Sequence, residues 1–304
     1  MYRTIAAALF GLALAQAGLS APAVAAQGTG KPSKTAAKPA DEAHAGEPKL
    51  ISSAFAIAHQ LTGEIIAEHK GEEVLPIASI TKLMTAMVVL DSGQGLSDAL
   101  TISRADFDTL KGTGSRLPLG TRLSREQMLL LALMSSENRA ASALARHYPG
   151  GEDAFVKAMN VKARMIGLND TRFFDGTGLD PRNVSSPRDL VRMVAAAAEY
   201  PLIREFTTAD ERQVRVGRRL LQYRNSNSLV RKPGWDIGLS KTGFIREAGR
   251  CVVMQTWLQG EPVIIVLMNA RSRWARDTDA NRLREWLQSV GLHRLAHAGS
   301  QHEG

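Results

Sequence analysis

The chain has one cysteine, Cys251, in 304 residues. That excludes an internal disulfide, and the apolar run around Cys251 makes it a small buried hydrophobe rather than a reactive thiol. Aromatic residues are only 5% of the sequence, and none are interleaved with basic residues in the way that single strands require, so no nucleic-acid partner is expected. No Gly-x-Ser-x-Gly elbow occurs, which argues against an α/β-hydrolase serine site. His293, His297 and His302 sit in a polar tail, and His293 and His297 are four apart with no acidic partner between or beside them; no metal site is expected there, and no cofactor is expected. The run from Asp175 to Pro181 is rich in glycine but lacks a lysine and a strand-to-helix setting. It reads as a structural loop near a cleft rather than a phosphate cradle.

What is present is ordinary globular composition, 44% hydrophobic and 22% charged, with length enough for a substantial core. The ends differ from the middle. Residues 1–26 carry Arg3, an apolar run from Ile5 to Leu19 and small residues at Ala23-Val24-Ala25-Ala26, the pattern of a secretory signal peptide. Residues 27–48 contain almost no large apolar side chains and read as a disordered leader. A domain is expected over 49–292, followed by a polar tail over 293–304. An exported, periplasmic protein follows from the leader. The formal charge of +8 favours anionic surroundings, so peripheral contact with cell wall or membrane is expected. Oligomeric state is not legible.

Apolar stretches at Ser53–Ala58 and Glu64–Glu68 flank Gln60-Leu61-Thr62-Gly63, a hairpin signal. Ser124 and Gln127 form a capping box that opens an apolar helix through Met134, and a helical pattern resumes from Arg139 to His147. Glu152 to Ile166 reads as an amphipathic helix, and Ser186-Pro187 starts another that runs to Tyr200. Ile237–Phe244, Gly249–Leu258 and Pro262–Asn269 read as an antiparallel meander, and Ala275 to Val290 as a closing helix. The expected fold class is α+β: a five-stranded antiparallel sheet packed by helices, with a helical subdomain.

Three short motifs carry the chemistry. The first lies in the stretch from Pro76 to Asp91, read as a helix apolar nearly all round and therefore buried. Its Ser79 and Lys82 are three apart, on one side and one turn apart. A lysine stripped of water loses its proton more readily, and a neutral amine beside a hydroxyl is a general base beside a nucleophile. The second motif, Ser136-Glu137-Asn138, falls in the polar turn between two buried helices, where hydroxyl and amide groups need partners. The third, Lys241-Thr242-Gly243, lies in the first strand of the meander. There lysine and threonine can bind a carboxylate, and glycine leaves room for a substrate backbone alongside. The ordered set is that of penicillin-binding proteins and class A β-lactamases.

The longer strings around the motifs, Ala78 to Asp91, Met134 to Ala141, His147 to Gly151 and Lys241 to Phe244, are more specific. Over about Leu50 to Leu292 the chain resembles the low-molecular-mass penicillin-binding proteins, most closely the D-alanyl-D-alanine endopeptidase branch of the penicillin-binding protein 7 type. The resemblance implies a serine peptidase of peptidoglycan stem peptides with the transpeptidase fold of that family. Ser79 would be acylated with Lys82 as base, and β-lactams would acylate the same serine. Ser136 would pass a proton to the leaving amine, and Asn138 would hold the substrate amide. Lys241, Thr242 and Gly243 would anchor the polar end of the substrate. The backbone N–H groups of Ser79 and Phe244 would form the oxyanion hole.

A carboxypeptidase that removes terminal D-alanine stays open as the alternative. A non-catalytic β-lactam sensor or wall-binding module is the alternative of another class. A β-lactamase also needs a carboxylate to activate the deacylating water, and no Glu-x-x-x-Asn segment lies between Asn138 and Lys241.

Overall fold

The computed structural model describes residues 49–290; the expected signal peptide, leader and polar tail lie outside the described residues. In chain order the strands and helices begin with β1 (Ala54–His59), β2 (Ile65–His69), β3 (Leu75–Pro76) and α1 (Thr81–Asp91). Next come β4 (Ala99–Thr101), β5 (Arg122–Ser124), α2 (Arg125–Met134), α3 (Asn138–Arg146), α4 (Gly151–Met165) and β6 (Val184–Ser185). Then follow α5 (Pro187–Ala198), α6 (Pro201–Thr208), β7 (Glu211–Val216) and β8 (Arg219–Arg224). The chain closes with β9 (Ile237–Ile245), β10 (Gly249–Leu258), β11 (Glu261–Ala270) and α7 (Arg273–Val290). The five-stranded sheet has the order β2-β1-β11-β10-β9, and every pairing in it is antiparallel.

The sheet is covered on both faces, which is why its inner strands read as nearly unbroken apolar runs rather than as an alternation. Ala54, Ala56, Ala58, Val253, Ile264 and Val266 face the large core shared with α1 to α6. Phe55, Ile57, Val252, Ile265 and Leu267 face a smaller core closed by Leu283 and Leu287 of α7. At ~25 cal/mol per Å² of apolar surface, burial on this scale is the main force holding the three layers together.

Local signals set the element ends. Ser124 caps α2 through the Gln127 amide, with Gln127 returning a bond to the Ser124 amide. Ser186 caps α5 ahead of Pro187. Ala198 ends α5 earlier than the expected Tyr200, and Pro201 starts a separate helix, α6, because proline is tolerated in a first turn but not in a helix interior. The β7–β8 hairpin was not foreseen: Arg218, Arg219 and Arg224 make the strands read as polar, and only Val214, Val216 and Tyr223 of the pair are buried.

Candidate active site

The first motif splits between two elements. Ala78–Ile80 form a single 3-10 turn that runs directly into α1, with Ala78 at φ 48°, a left-handed conformation costly for a residue with a Cβ. Every residue of α1 from Thr81 to Val89 is buried. Three of these are polar, and all three grip one loop. Lys82 Nζ donates to the Thr177 carbonyl at 2.7 Å, Thr85 Oγ1 donates to the Gly176 carbonyl at 2.6 Å, and Thr81 Oγ1 accepts from Asn183 Nδ2 at 3.1 Å. The glycine-rich run from Asp175 is thus a structural loop that clamps the helix.

Lys82 is fully buried. Its Nζ also lies 2.9 Å from Ser79 Oγ and donates to Asn138 Oδ1 at 2.8 Å. Burial pushes its pKa down to about 8, against the pull of Asp175 and Glu137, whose negative charges favour the ammonium. Asp175 also shapes the loop. Its carboxylate accepts from the Gly178 amide at 2.9 Å, from Asn183 Nδ2 at 2.7 Å and from the Thr177 hydroxyl. Gly178 has φ +81°, and a Cβ there would sit 1.9 Å from the Ala78 carbonyl oxygen, so only glycine lets the loop approach the turn that carries Ser79.

The second motif follows the apolar α2. Ser136 has φ 62°, a second left-handed non-glycine residue at the site. Glu137 caps α3, its carboxylate accepting from the Arg139 amide. Asn138 opens α3 and gives its Nδ2 to Thr113 Oγ1 at 2.9 Å, so both ends of its amide are engaged.

Lys241 approaches from the sheet. Leu239, Lys241, Gly243 and Ile245 share the β9 face that looks toward the helices, as the period of two requires. Lys241 is 1% exposed; its Nζ donates to Ser136 Oγ and to the Thr242 carbonyl, both at 2.9 Å. Burial, then the nearby charges of Lys82 and Arg276, push its pKa well below the usual lysine value. Thr242 Oγ1 donates to Ser226 Oγ at 2.8 Å. Gly243 has a different reason from the one expected: a Cβ there would meet the Ile77 carbonyl oxygen at 2.7 Å and the Ala78 Cβ at 3.2 Å. The glycine makes room for the turn before α1. Among the described residues β9 lies at the end of the sheet order, with one edge unpaired.

The structure therefore links Ser79, Lys82 and Asn138 in one network and Ser136, Lys241 and Thr242 in a second. Both rest on the residue pair Ser136 and Asn138 two apart. Gly243 against Ala78 brings the strand carrying Phe244 beside the turn carrying Ser79. A cleft of about 230 Å³, lined by Phe107, Asp108, Asn138, Asp175 and Thr177 among others, borders the first network through Asn138. Sequence reasoning missed Thr113, the Thr177 carbonyl as the acceptor for Lys82, Asn183 and Ser226. Of these only the 175–181 loop had a signal, its glycines. Cys251 is buried, and burial raises its thiol to about 11, so it stays protonated. Among the described residues no group of three or more His, Cys, Asp or Glu is placed to hold a metal ion.

Comparison with known proteins places most of the chain. The chain is 46% identical over 245 residues to a D-alanyl-D-alanine endopeptidase of Pseudomonas aeruginosa, covering 80% of this chain and 79% of that one. It is 45% identical over 255 residues to a D-alanyl-D-alanine endopeptidase of Escherichia coli, covering 83% and 82%. Among solved structures, a Streptomyces K15 DD-transpeptidase superimposes with a TM-score of 0.74 at 26% identity, over 79% of this chain and 98% of that one. The D-alanyl-D-alanine carboxypeptidase family, peptidase S11, matches residues 41–272, and with relatives this similar over most of their length the chain belongs to that family.

Proposed function

We propose that Ser79 is the nucleophile of a D-alanyl-D-alanine endopeptidase that opens peptidoglycan cross-links, with Lys82 as its general base. The protein is a serine DD-peptidase of peptidoglycan, a hydrolase, and the endopeptidase reading leads because its relatives at 45% and 46% identity carry that name. The single observation that carries the residue roles is the 2.9 Å contact between Ser79 Oγ and a fully buried Lys82 whose pKa is pushed to about 8. At pH 7 roughly one in ten such amines is neutral without help.

The steps follow from the contacts. Neutral Lys82 accepts the Ser79 proton while Ser79 Oγ attacks the carbonyl carbon of the D-alanyl bond. The backbone N–H groups of Ser79 and Phe244 take the negative oxygen. The C–N bond breaks as the Ser136 hydroxyl gives its proton to the leaving amine and takes one from the Lys241 ammonium, whose hydrogen bond it accepts. Water then adds to the acyl carbon; the ester C–O bond breaks as Ser79 takes back the proton held on Lys82, and the proton lost by the water restores Lys241. A substrate carboxylate near Lys241 and Thr242 favours the ammonium form of Lys241. Because the two lysines repel, that charge helps drive the proton off Lys82. Asn138 exchanges Thr113 for the substrate amide and keeps Lys82 in line.

Incubation of the purified protein with benzylpenicillin and intact-mass spectrometry tests this: one adduct, mapped to Ser79 and slow to hydrolyse, is expected. Digestion of cross-linked muropeptides should release monomers, whereas loss of terminal D-alanine alone would make the protein a carboxypeptidase. Ser79→Ala should abolish both reactions, and unchanged cleavage in that variant would end the enzyme reading. Export to the periplasm is part of this proposal and rests on residues 1–26 of the sequence. No helix among the described residues is long and apolar enough to cross a membrane.

A further inference from the structure

A second cavity, of about 380 Å³, lies beside the Ser136 turn, bounded by Gly114, Ser115, Arg116, Ser135, Glu137 and Tyr223. None of these side chains has a part in the steps above, yet three of them have hydrogen-bonding capacity left over. Tyr223 is fully buried, and its hydroxyl has no partner among the described residues. A buried hydroxyl without a partner is unfavourable, so such a group calls for an occupant. Glu137 is 9% exposed and its carboxylate accepts one long bond, from the Arg139 amide at 3.4 Å. A carboxylate offers about four acceptor positions. Arg116 stacks 3.8 Å over the Tyr223 ring and gives one bond, from Nη1 to the Gln222 carbonyl at 2.7 Å. The rest of its donors are open.

Opposite charges that line one cavity usually pair. Here Arg116 and Glu137 do not, and the tyrosine lies between them in chemistry: burial and the Glu137 charge push its hydroxyl up to about 12, so it stays protonated and both donates and accepts. An anion and a cation held apart around an open space, with an amphoteric hydroxyl beside them, match a zwitterion. Its ammonium suits Glu137 and Tyr223, and its carboxylate suits Arg116.

We propose that this cavity binds the free amino-acid end of the substrate's diamino acid, the end not engaged in a cross-link, and so selects stems in which that end is an unmodified zwitterion. The inference rests on the DD-peptidase reading, which supplies a diamino acid next to the bond that is cut. It adds a subsite set by Arg116, Glu137 and Tyr223.

The test uses the mature protein and pairs of stem peptides, as dimers and as monomers, with the free end intact, N-acetylated or amidated. Wild type should prefer the intact form at least about tenfold in kcat/KM, a factor worth about 1.4 kcal/mol. Arg116→Gln should erase the preference over the amidated form, and Tyr223→Phe should reduce the preference over the N-acetylated one. Both should acylate with benzylpenicillin, which has no such end, at the wild-type rate. Because Glu137 also supports the charge of Lys82, Glu137→Gln is read only as the ratio between intact and N-acetylated substrates, which should fall to about one. Saturable binding of meso-diaminopimelic acid to the penicillin-acylated protein, lost in Arg116→Gln, is the readout independent of turnover. Equal cleavage of all three forms by wild type, or slower penicillin acylation in Arg116→Gln and Tyr223→Phe, would overturn the subsite. If wild type leaves dimers uncut but discriminates among monomers, the endopeptidase reading fails and the subsite stands.

Discussion

Two buried lysines, one on the first helix and one on the last three-stranded part of the sheet, come near enough for their charges to interact, and their surroundings differ in sign. Lys82, on the helical side, is flanked by the carboxylates of Asp175 and Glu137, which offset part of its desolvation and leave it titrating near 8. Lys241, on the sheet side, has cations for neighbours, Lys82 and Arg276, and burial alone is not opposed. Burial makes both unlike ordinary lysines, and the charges around them divide the work. The lysine near carboxylates can still hold and release a proton close to neutral pH, as a base must. The lysine without them has no anion to offset its burial, and in the proposed function a substrate carboxylate is that anion.

The sharpest way to break this division is to put arginine at each position, since the added bulk is alike but arginine cannot deprotonate. Lys82→Arg should lower penicillin acylation by about 10³-fold or more, within or above the range for a lost general base. Lys241→Arg should keep an anion site and cost only about 10–100-fold, mostly in KM for carboxylate-bearing stems. Equal losses at the two positions would show that the lysines share one task. Stopped-flow acylation against pH gives the next largest effect. The neutral fraction of Lys82 grows as pH rises, so kcat/KM should climb about tenfold per unit on the acid side and level off above about 8. A profile flat from pH 6 to 9 would remove Lys82 from the base role.

Asp175→Asn probes the carboxylate that marks the helical side. Loss of its charge should move that acid limb to lower pH, by about one unit or less, because Asp175 raises the Lys82 pKa. The same variant weakens the bonds that hold the 175–178 loop and should cost about 1–3 kcal/mol in denaturant unfolding. The acid limb moving upward would contradict the assigned sign. Smallest of all, Gly217→Ala on the exposed hairpin has φ +59° but nothing within 4 Å, so about 1 kcal/mol of backbone strain and no change in acylation are expected.

Much of this was legible in advance for identifiable reasons. The five strands of the sheet, the Ser124 and Ser186 caps and the closing helix all announce themselves through local pattern. The three motifs were found by spacing and expected on a buried helix, an inter-helix turn and a strand; the first instead divides between a 3-10 turn that holds Ser79 and the helix that holds Lys82. The elements that escaped are those whose burial is lent by neighbours: α6, whose start is set by Pro201, and the arginine-rich β7–β8 hairpin. The packing reason for Gly243 was also not legible, because nothing near it in the chain says that residues 77 and 78 will lie against it.

Sequence alone determined which groups are available: one serine and one lysine a turn apart, a Ser-x-Asn turn, a Lys-Thr-Gly strand, and helices too apolar to stay in water. Side-chain period and hydrophobicity are local properties, and they carry that far. Only the tertiary structure decided that the Thr177 carbonyl, Asn138 and Ser79 converge on Lys82, that Asp175 offsets its desolvation, and that Lys241 meets Ser136 from across the sheet. The partners are 56 and 95 residues from Lys82 and 105 from Lys241. A pKa depends on distance in space, which the order of residues along the chain does not contain.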